Sequence, residues 1–389
     1  MSSSRQSNIA MVAGETSGDM LAARLLSGLR PRLPEARMHG IGGSHMAEHG
    51  FVSDWPMEKL SVRGIFEVLV HYREISGIRK QLTENLLEEK PDVFIGVDAP
   101  DFNLDMEIKL KQAGIPTIHY ISPSIWAWRG GRIKKIAAAV SHMLVVFPFE
   151  EQIYRDAGIP ATYVGHPLAQ VIPLEIDTQA AREELGLDPR FKVVAILPGS
   201  RISEIKYNTE AFIRTAKILL ERDPHLQIVV PMAGNKQRSY YIKLVVAAKL
   251  EGVPVLLIDG RSHTAIAAAD AVLVASGTAS LEVALFKKPM VIAYKMMEAS
   301  WQILKHMGYQ PWIGLPNILE REFVVPEFLQ SAATPLAMAD ALWQQLNDDV
   351  LQKNLKDRFT EMHHTLLRDT ANVSSQAVLD VIARHRSAR

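Results

Sequence analysis

The sequence predicts an α/β chain of two domains, each built on an open parallel sheet. Three observations carry this. The chain has 389 residues, 48% hydrophobic and 22% charged, which is ordinary globular composition and enough length for two domains of about 150–200 residues. Both halves open alike, with an apolar strand, a glycine-bearing turn and a helical pattern. The second half then alternates strand and helix strictly, which calls for parallel strands joined by crossovers.

In the first half, Ile9-Ala10-Met11-Val12-Ala13 leads through Gly14-Glu15-Thr16-Ser17-Gly18-Asp19 into a helix marked by Leu21, Leu25 and Leu29. A second short strand precedes Gly40-Ile41-Gly42-Gly43. Further strands are expected at 92–97, 117–121, 142–147 and 161–164. Gly165-His166-Pro167 and the Pro-bearing segment to Asp177 read as the inter-domain linker. Strands are expected next at 193–197, 227–230, 254–258, 271–275 and 290–293, with helical patterns between them. From Leu336 onward the pattern is helical. The Gly14 turn does not match GxGxxG, and GxxxxGK[ST] is absent, so dinucleotide and P-loop readings are not supported.

Composition narrows the function. A formal net charge of +0 gives no global basic field for nucleic acid. With Cys 0, disulfides and thiolate metal sites are excluded. No apolar run approaches the roughly 18 residues of a membrane span. The first apolar run is interrupted by Glu15, so no cleaved signal peptide is expected and a cytoplasmic protein is. One segment, Met57 to Gly77, is unusually apolar and flanked by Arg63, Arg73, Arg79 and Lys80. It reads either as a core helix or as a surface that meets acyl chains or a bilayer.

The chemistry-bearing stretches fall at strand ends. Leu197-Pro198-Gly199-Ser200-Arg201-Ile202-Ser203-Glu204 joins a buried-type strand to a helix. Such a turn points backbone N–H groups at an anion, and Arg201 adds a fixed cationic fork suited to phosphate oxygens. An ordinary βα turn with a salt-bridged Arg is the plainer alternative. Ser276-Gly277-Thr278 offers a second small-residue turn at a helix start, with Glu282 one turn further. A diphosphate held between the two turns, with Glu282 on ribose hydroxyls, is the functional reading; a structural salt bridge is the alternative for Glu282.

The first half carries loop carboxylates instead, namely Glu15, Asp19, Asp98 and Asp101. Any of these can act as a general base where geometry allows. Asp19 and Asp101 also suit helix capping. Asp98 does not, because Ala99-Pro100 intervenes before any helix. Trp126 and Trp128, with Arg129, Arg132, Lys134 and Lys135, read as a binding rim or as buried aromatics beside a solvated face. His45-Met46-Ala47-Glu48-His49 fits HxxEH, but the segment is short and Gly50 follows at once. No Asp-x-Asp occurs, which argues against a diphosphate clamped through a metal held by that motif. No metal and no cofactor are expected.

These motifs resemble the lipid-A-disaccharide synthase family. The resemblance rests on Gly14-Glu15-Thr16-Ser17-Gly18-Asp19, Asp98-Ala99-Pro100-Asp101-Phe102, Ser122-Pro123-Ser124-Ile125-Trp126-Ala127-Trp128-Arg129, Leu197-Pro198-Gly199-Ser200-Arg201 with Glu204, Ala275-Ser276-Gly277-Thr278-Ala279 with Glu282, and Leu315-Pro316-Asn317. They occur in family order from about residue 9 to 320. The resemblance implies a GT-B fold, two Rossmann-like domains facing across a cleft. The expected division is 1–172 for the acceptor and membrane side and 173–354 for the UDP-sugar side, with about 355–389 packing back on the first domain. It implies an inverting transfer from UDP-2,3-diacylglucosamine to 2,3-diacylglucosamine 1-phosphate, giving a β-1,6-linked disaccharide and UDP. It further implies a peripheral protein on the cytoplasmic face of a Gram-negative inner membrane, and dimers occur in the family.

Joined to the residue reading, the resemblance assigns roles. Asp98 is the expected base, and Arg201 with Ser276, Gly277 and Thr278 the stabilisers of the leaving diphosphate. Gly199, Ser200 and Glu204 complete the donor turn, and Glu282 and Asn317 take the ribose or uracil end. Glu15, Ser17, Asp19, Asp101, Trp128 and Arg129 face the acceptor. Two rivals remain. A UDP-N-acetylglucosamine 2-epimerase would share the nucleotide half without needing the 57–77 stretch, and a non-enzymatic nucleotide-binding protein would have little use for the loop carboxylates.

Overall fold

Among the described residues, thirteen strands form two wholly parallel sheets with the same internal order. The computed structural model describes residues 6–60, 65–126, 130–304 and 311–387, without the side chains of 65–72 and 303–304. The first sheet holds β1 (Asn8–Ala13), β2 (Arg37–Gly42), β3 (Val52–Pro56), β4 (Val93–Val97), β5 (Thr117–Tyr120), β6 (His142–Val145) and β7 (Ala161–Tyr163). Their order is β3-β2-β1-β4-β5-β6-β7. The second holds β8 (Val193–Leu197), β9 (Gln227–Met232), β10 (Leu256–Asp259), β11 (Ala271–Ala275), β12 (Met290–Tyr294) and β13 (Glu327–Leu329), in the order β10-β9-β8-β11-β12-β13. In both sheets the order reverses beside the first strand, between β1 and β4 and between β8 and β11. Open α/β sheets bind ligands outside the carboxyl ends of the strands at such a switch point.

Central strands are legible because both their faces are covered. Every residue of β4, β8 and β11 is buried, and all three are apolar and rich in β-branched residues. The edge strand β3 is different: it is mostly exposed, and Val52 is one of its exposed residues. Helix Ile202–Arg222 lays Phe212, Ile213, Ala216 and Leu219 against Ile196, Val230 and Leu273. In the first sheet, Val12 and Phe94 pack with Leu82 and Leu86 of helix Ile65–Glu89 and with Met106 and Leu110 of helix Pro100–Gln112. Each such fully buried side chain contributes roughly 1.5–3 kcal/mol relative to exposure.

The chain divides into two compact units, 1–167 together with 366–389, and 168–365. It therefore crosses between them twice. The C-terminal helix Thr370–Ser387 lies against helix Thr16–Leu29. Gly28 makes this approach available, because a Cβ there would stand 2.1 Å from the Ala371 carbonyl oxygen. The return is tied down where the His166 N–H donates to the Leu366 carbonyl (2.9 Å) and the Thr370 hydroxyl donates to the Val164 carbonyl (2.8 Å). The 165–177 segment is not bare linker, since helix Pro167–Val171 forms within it.

Candidate active site

In the second unit, the loops after β8 and β11 meet around a cavity of about 400 Å³. Gly199, Ser200, Arg201 and Glu204 line one side, and Ser276, Gly277, Thr278 and Glu282 another. Register brings them together, because Leu197 pairs with Val274 one residue short of the second strand's end. Gly277 sits at φ 145° with open space where a Cβ would stand, and Thr278 begins helix Thr278–Leu285. The Ser276 hydroxyl donates to the Ile313 carbonyl at 3.2 Å, which fixes the start of that turn. Glu282 is held with Oε2 3.4 Å from His263 Nε2.

The first turn differs from the sequence expectation in one respect. Its N–H groups are not waiting for an anion. Glu204 Oε2 accepts from the Ser200 N–H (2.9 Å) and the Arg201 N–H (3.1 Å). A guanidinium carries donors only, so Arg201 at the N-cap caps nothing, and Glu204 at the third helical position does that work from inside the helix. Gly199 is required here: it has φ 117°, and a Cβ would meet the Glu204 Cβ at 2.4 Å. The side chain of Arg201 is 79% exposed, with one arm 3.2 Å from Glu204 Oε1.

Several lining residues had no signal in the sequence. Met232, Ala233, Gly260, Ser262 and Tyr294 reach the cavity from the ends of β9, β10 and β12. None belongs to a charged or glycine-paired motif. Only the strand order places them beside the two turns.

Asn317 does not line this cavity. It is fully buried and its amide is committed internally. Nδ2 donates to the Val325 carbonyl (2.9 Å) and Glu327 Oε1 (2.8 Å), while Oδ1 accepts from the Val324 and Val325 N–H groups (2.9 and 3.0 Å). Glu327 also accepts from the Ile313 and Gly314 N–H groups, both at 2.9 Å. Burial raises the Glu327 carboxyl above the usual carboxylate range. Asn317 thus orders the loop whose Ile313 carbonyl receives Ser276.

In the first unit, the loops after β1 and β4 are neighbours. Ala13 pairs with Val97, and a Cβ on Gly14 would lie 3.3 Å from Ala99 Cβ. Asp98 and Ala99 are both left-handed, at φ 53° and 43°. Consecutive non-glycine residues in that region are uncommon and store strain. The half-buried Asp98 carboxylate has no hydrogen-bond partner among the described residues. Glu15 stands at the N-cap of helix Thr16–Leu29, and Ser17 is exposed in its first turn. Asp101 opens helix Pro100–Gln112 and accepts from Arg132 Nη2 at 2.7 Å.

Asp19 points inward. It is 1% exposed, and its carboxylate accepts from the N–H groups of Gly43 (2.8 Å), His45 (3.0 Å) and Met46 (3.2 Å). It caps helix Ser44–Ala47, the segment that holds His45, and not its own helix. Trp128 and Arg129 lie outside the described residues, as do 61–64 and the side chains of 65–72 within the apolar stretch. Trp126 is placed: Nε1 donates to the buried Glu150 (3.0 Å), and its ring meets Phe147 and Phe149 edge-on. Among the described residues no three His, Cys, Asp or Glu side chains form a metal-ligand group. No helix among them is long and apolar enough to cross a membrane.

Among solved structures, a UDP-GlcNAc 2-epimerase from Neisseria meningitidis bound to UDP-GlcNAc superposes with a TM-score of 0.59 at 12% identity, covering 97% of this chain and 100% of that one. The calicheamicin glycosyltransferase CalG4 superposes with a TM-score of 0.58 at 13% identity, covering 98% and 99%. At such identity the likeness shows the fold, which is GT-B with two Rossmann-like sheets. The model of the lipid-A-disaccharide synthetase family matches residues 9–381. The lipid-A-disaccharide synthase of Azoarcus sp. (strain BH72) is 52% identical over 379 residues, 97% of each chain. That of Paraburkholderia phymatum is 53% identical over 379 residues, again 97% of each. With a family model spanning nearly the whole sequence and relatives identical at half their positions, the chain belongs to the lipid-A-disaccharide synthase family of glycosyltransferases.

Proposed function

We propose that this enzyme condenses UDP-2,3-diacylglucosamine with 2,3-diacylglucosamine 1-phosphate into the β-1,6-linked disaccharide 1-phosphate, releasing UDP. One observation carries the assignment of roles. The two sheets share the order of their first six strands, yet at their switch points one presents an exposed arginine beside a small-residue helix start and the other a strained loop bearing a carboxylate.

The donor belongs to the second unit. Arg201 and the N–H groups at Gly277 and Thr278 stabilise the charge that grows on the diphosphate as it leaves. Glu282 accepts from the ribose hydroxyls. Gly199, Ser200 and Glu204 shape the turn that carries Arg201, and Asn317 shapes the loop that braces Ser276. The acceptor belongs to the first unit, where Glu15, Ser17, Asp101, Trp128 and Arg129 orient it and Asp19 holds the supporting loop.

In the reaction, Asp98 takes the proton of the acceptor 6-hydroxyl. The oxygen attacks the anomeric carbon from the face opposite the phosphate. The new C–O bond forms as the bond to the β-phosphate oxygen breaks, with inversion, and UDP departs with that electron pair. We further propose that the enzyme works as a peripheral protein on the cytoplasmic face of the inner membrane, with Trp128 and the part of the 57–77 stretch between its core-packed ends, Met57 and Ile75, meeting acyl chains, and that it forms a homodimer.

Incubation with both acylated substrates in detergent tests this directly. Equal amounts of disaccharide 1-phosphate and UDP are expected. UDP binding without disaccharide would favour a nucleotide-binding module, and conversion of UDP-N-acetylglucosamine without a lipid acceptor would favour an epimerase.

A further inference from the structure

Beneath the Asp98 loop lies a buried polar cradle that the reaction as written does not use. Asn103, Glu107 and His119 are each fully buried. Glu107 Oε1 lies 2.8 Å from His119 Nδ1. Burial raises the Glu107 carboxyl, and the neighbouring histidine opposes that rise. Gly96 makes the room: a Cβ there would stand 2.2 Å from Glu107 Oε1 and 2.9 Å from Asn103 Cβ. From this cradle Asn103 Nδ2 donates to the Asp98 carbonyl oxygen at 2.8 Å.

The bond falls where the backbone is least stable by itself. Asp98 and Ala99 are both left-handed, a conformation in which the Cβ of a non-glycine residue crowds the following carbonyl oxygen. Three further hydrogen bonds frame the same turn. The Asp98 N–H donates to the Tyr120 carbonyl (2.9 Å), and the Ala99 carbonyl accepts from the Phe102 and Asn103 N–H groups (2.9 and 3.0 Å). Packing alone does not account for an asparagine here. Its Oδ1 is buried with no partner among the described residues, as are Glu107 Oε2 and His119 Nε2. An unpaired buried acceptor is destabilising, and an apolar side chain of the same shape would avoid it. What the amide adds is its donation to Asp98.

We propose that Asn103 is a positioning residue for the transfer reaction: it locks the left-handed Asp98–Ala99 turn and thereby aims the Asp98 carboxylate. The proposal rests on Asp98 being the base. Losing the tether lets the turn relax and swings the carboxylate away from the acceptor hydroxyl. Displacement by about 1 Å is enough for a loss of roughly 10²-fold in rate.

The test uses the full-length enzyme with Asn103→Leu, which keeps the branched shape without the polar atoms, and Asn103→Ala, which needs less room, should the first fail to fold. Rates are taken well below the first unfolding transition of each variant, measured by calorimetry, so unfolding of the unit that carries Asn103 does not count as lost catalysis. Expected are a 10- to 100-fold fall in kcat with both KM values within about twofold, and no further fall when Asn103→Ala is added to Asp98→Ala, because the two changes remove one function. If kcat stays within threefold, or Asn103→Ala lowers the Asp98→Ala rate by the same factor as it lowers the native rate, Asn103 is a structural residue only. If Asp98→Ala itself is as active as the native enzyme, the failure lies with the base assignment.

Discussion

Glu204 and Arg201 form a closed unit on one side of the cavity between the loops after β8 and β11. One oxygen of the Glu204 carboxylate takes the Arg201 N–H at 3.1 Å, and the other lies 3.2 Å from the Arg201 guanidinium. The backbone that presents the arginine and the arginine itself are thus held by one side chain, while most of the guanidinium remains in solvent. Arg201 is a pre-placed donor and not a buried structural cation.

Arg201→Ala is therefore expected to lower kcat by about 10²–10³-fold, the range for removing one donor from a developing anion. Added Mg²⁺ should not restore the rate. Steady-state kinetics across a Mg²⁺ series checks this, and recovery with the metal would assign the leaving-group charge elsewhere.

Glu204→Ala should act in two ways at once. The helix Ile202–Arg222 loses its N-terminal acceptor, which costs about 0.5–2 kcal/mol. The turn also loses its hold on Arg201, so UDP affinity falls. Glu204→Gln keeps an oxygen acceptor and should fall between Ala and native in both melting temperature and calorimetric UDP affinity.

Asp19→Ala should separate stability from donor binding. It leaves three buried N–H groups, on Gly43, His45 and Met46, without their acceptor. Each unmade bond costs about 1–3 kcal/mol before relaxation. A lower denaturation midpoint with unchanged UDP affinity is expected. Unchanged stability would mean that water replaces the carboxylate.

Glu150 gives a pH test. Burial pushes its carboxyl up to about 7, although the N–H groups of Phe147 and Val146 and the indole of Trp126 pull the other way. Because the folded value lies above the unfolded one, the native state holds the extra proton. This group's contribution to stability is therefore full at acid pH and is lost as pH rises toward 7. Glu150→Gln cannot titrate. The native protein should lose stability relative to Glu150→Gln across pH 4.5–7, by an amount on the order of a few kcal/mol. Parallel melting curves for the two proteins would contradict it.

The central strands and the loops they deliver were legible in the sequence for the same reason: a strand buried on both faces is a short apolar run, and the turn after it is marked by glycine and polar residues. β1, β4, β8 and β11 follow that rule. The strand β3 is exposed at a sheet edge, and β13 is a half-buried edge strand that opens on a glutamate, so neither leaves such a run. The site divides similarly. Gly199, Arg201, Ser276, Thr278 and Glu282 stand together because their loops share a switch point. Asp19 and Asn317 were also read as ligand-facing, and Glu204 lines the cavity while also capping its own helix, because a polar residue looks the same in sequence whether it meets a ligand or a backbone N–H. Asn103 was not legible at all, since its partner is a carbonyl whose strain appears only in the folded backbone.

The most direct measurement of the account compares native and Asp98→Ala enzymes for disaccharide formation, with UDP affinity measured in parallel. The native enzyme should form disaccharide 1-phosphate and UDP in equal amounts, and Asp98→Ala should lose turnover by orders of magnitude while binding UDP as tightly. An active Asp98→Ala enzyme would move the base to Glu15, and a native enzyme that binds UDP without making disaccharide would contradict the proposed function itself.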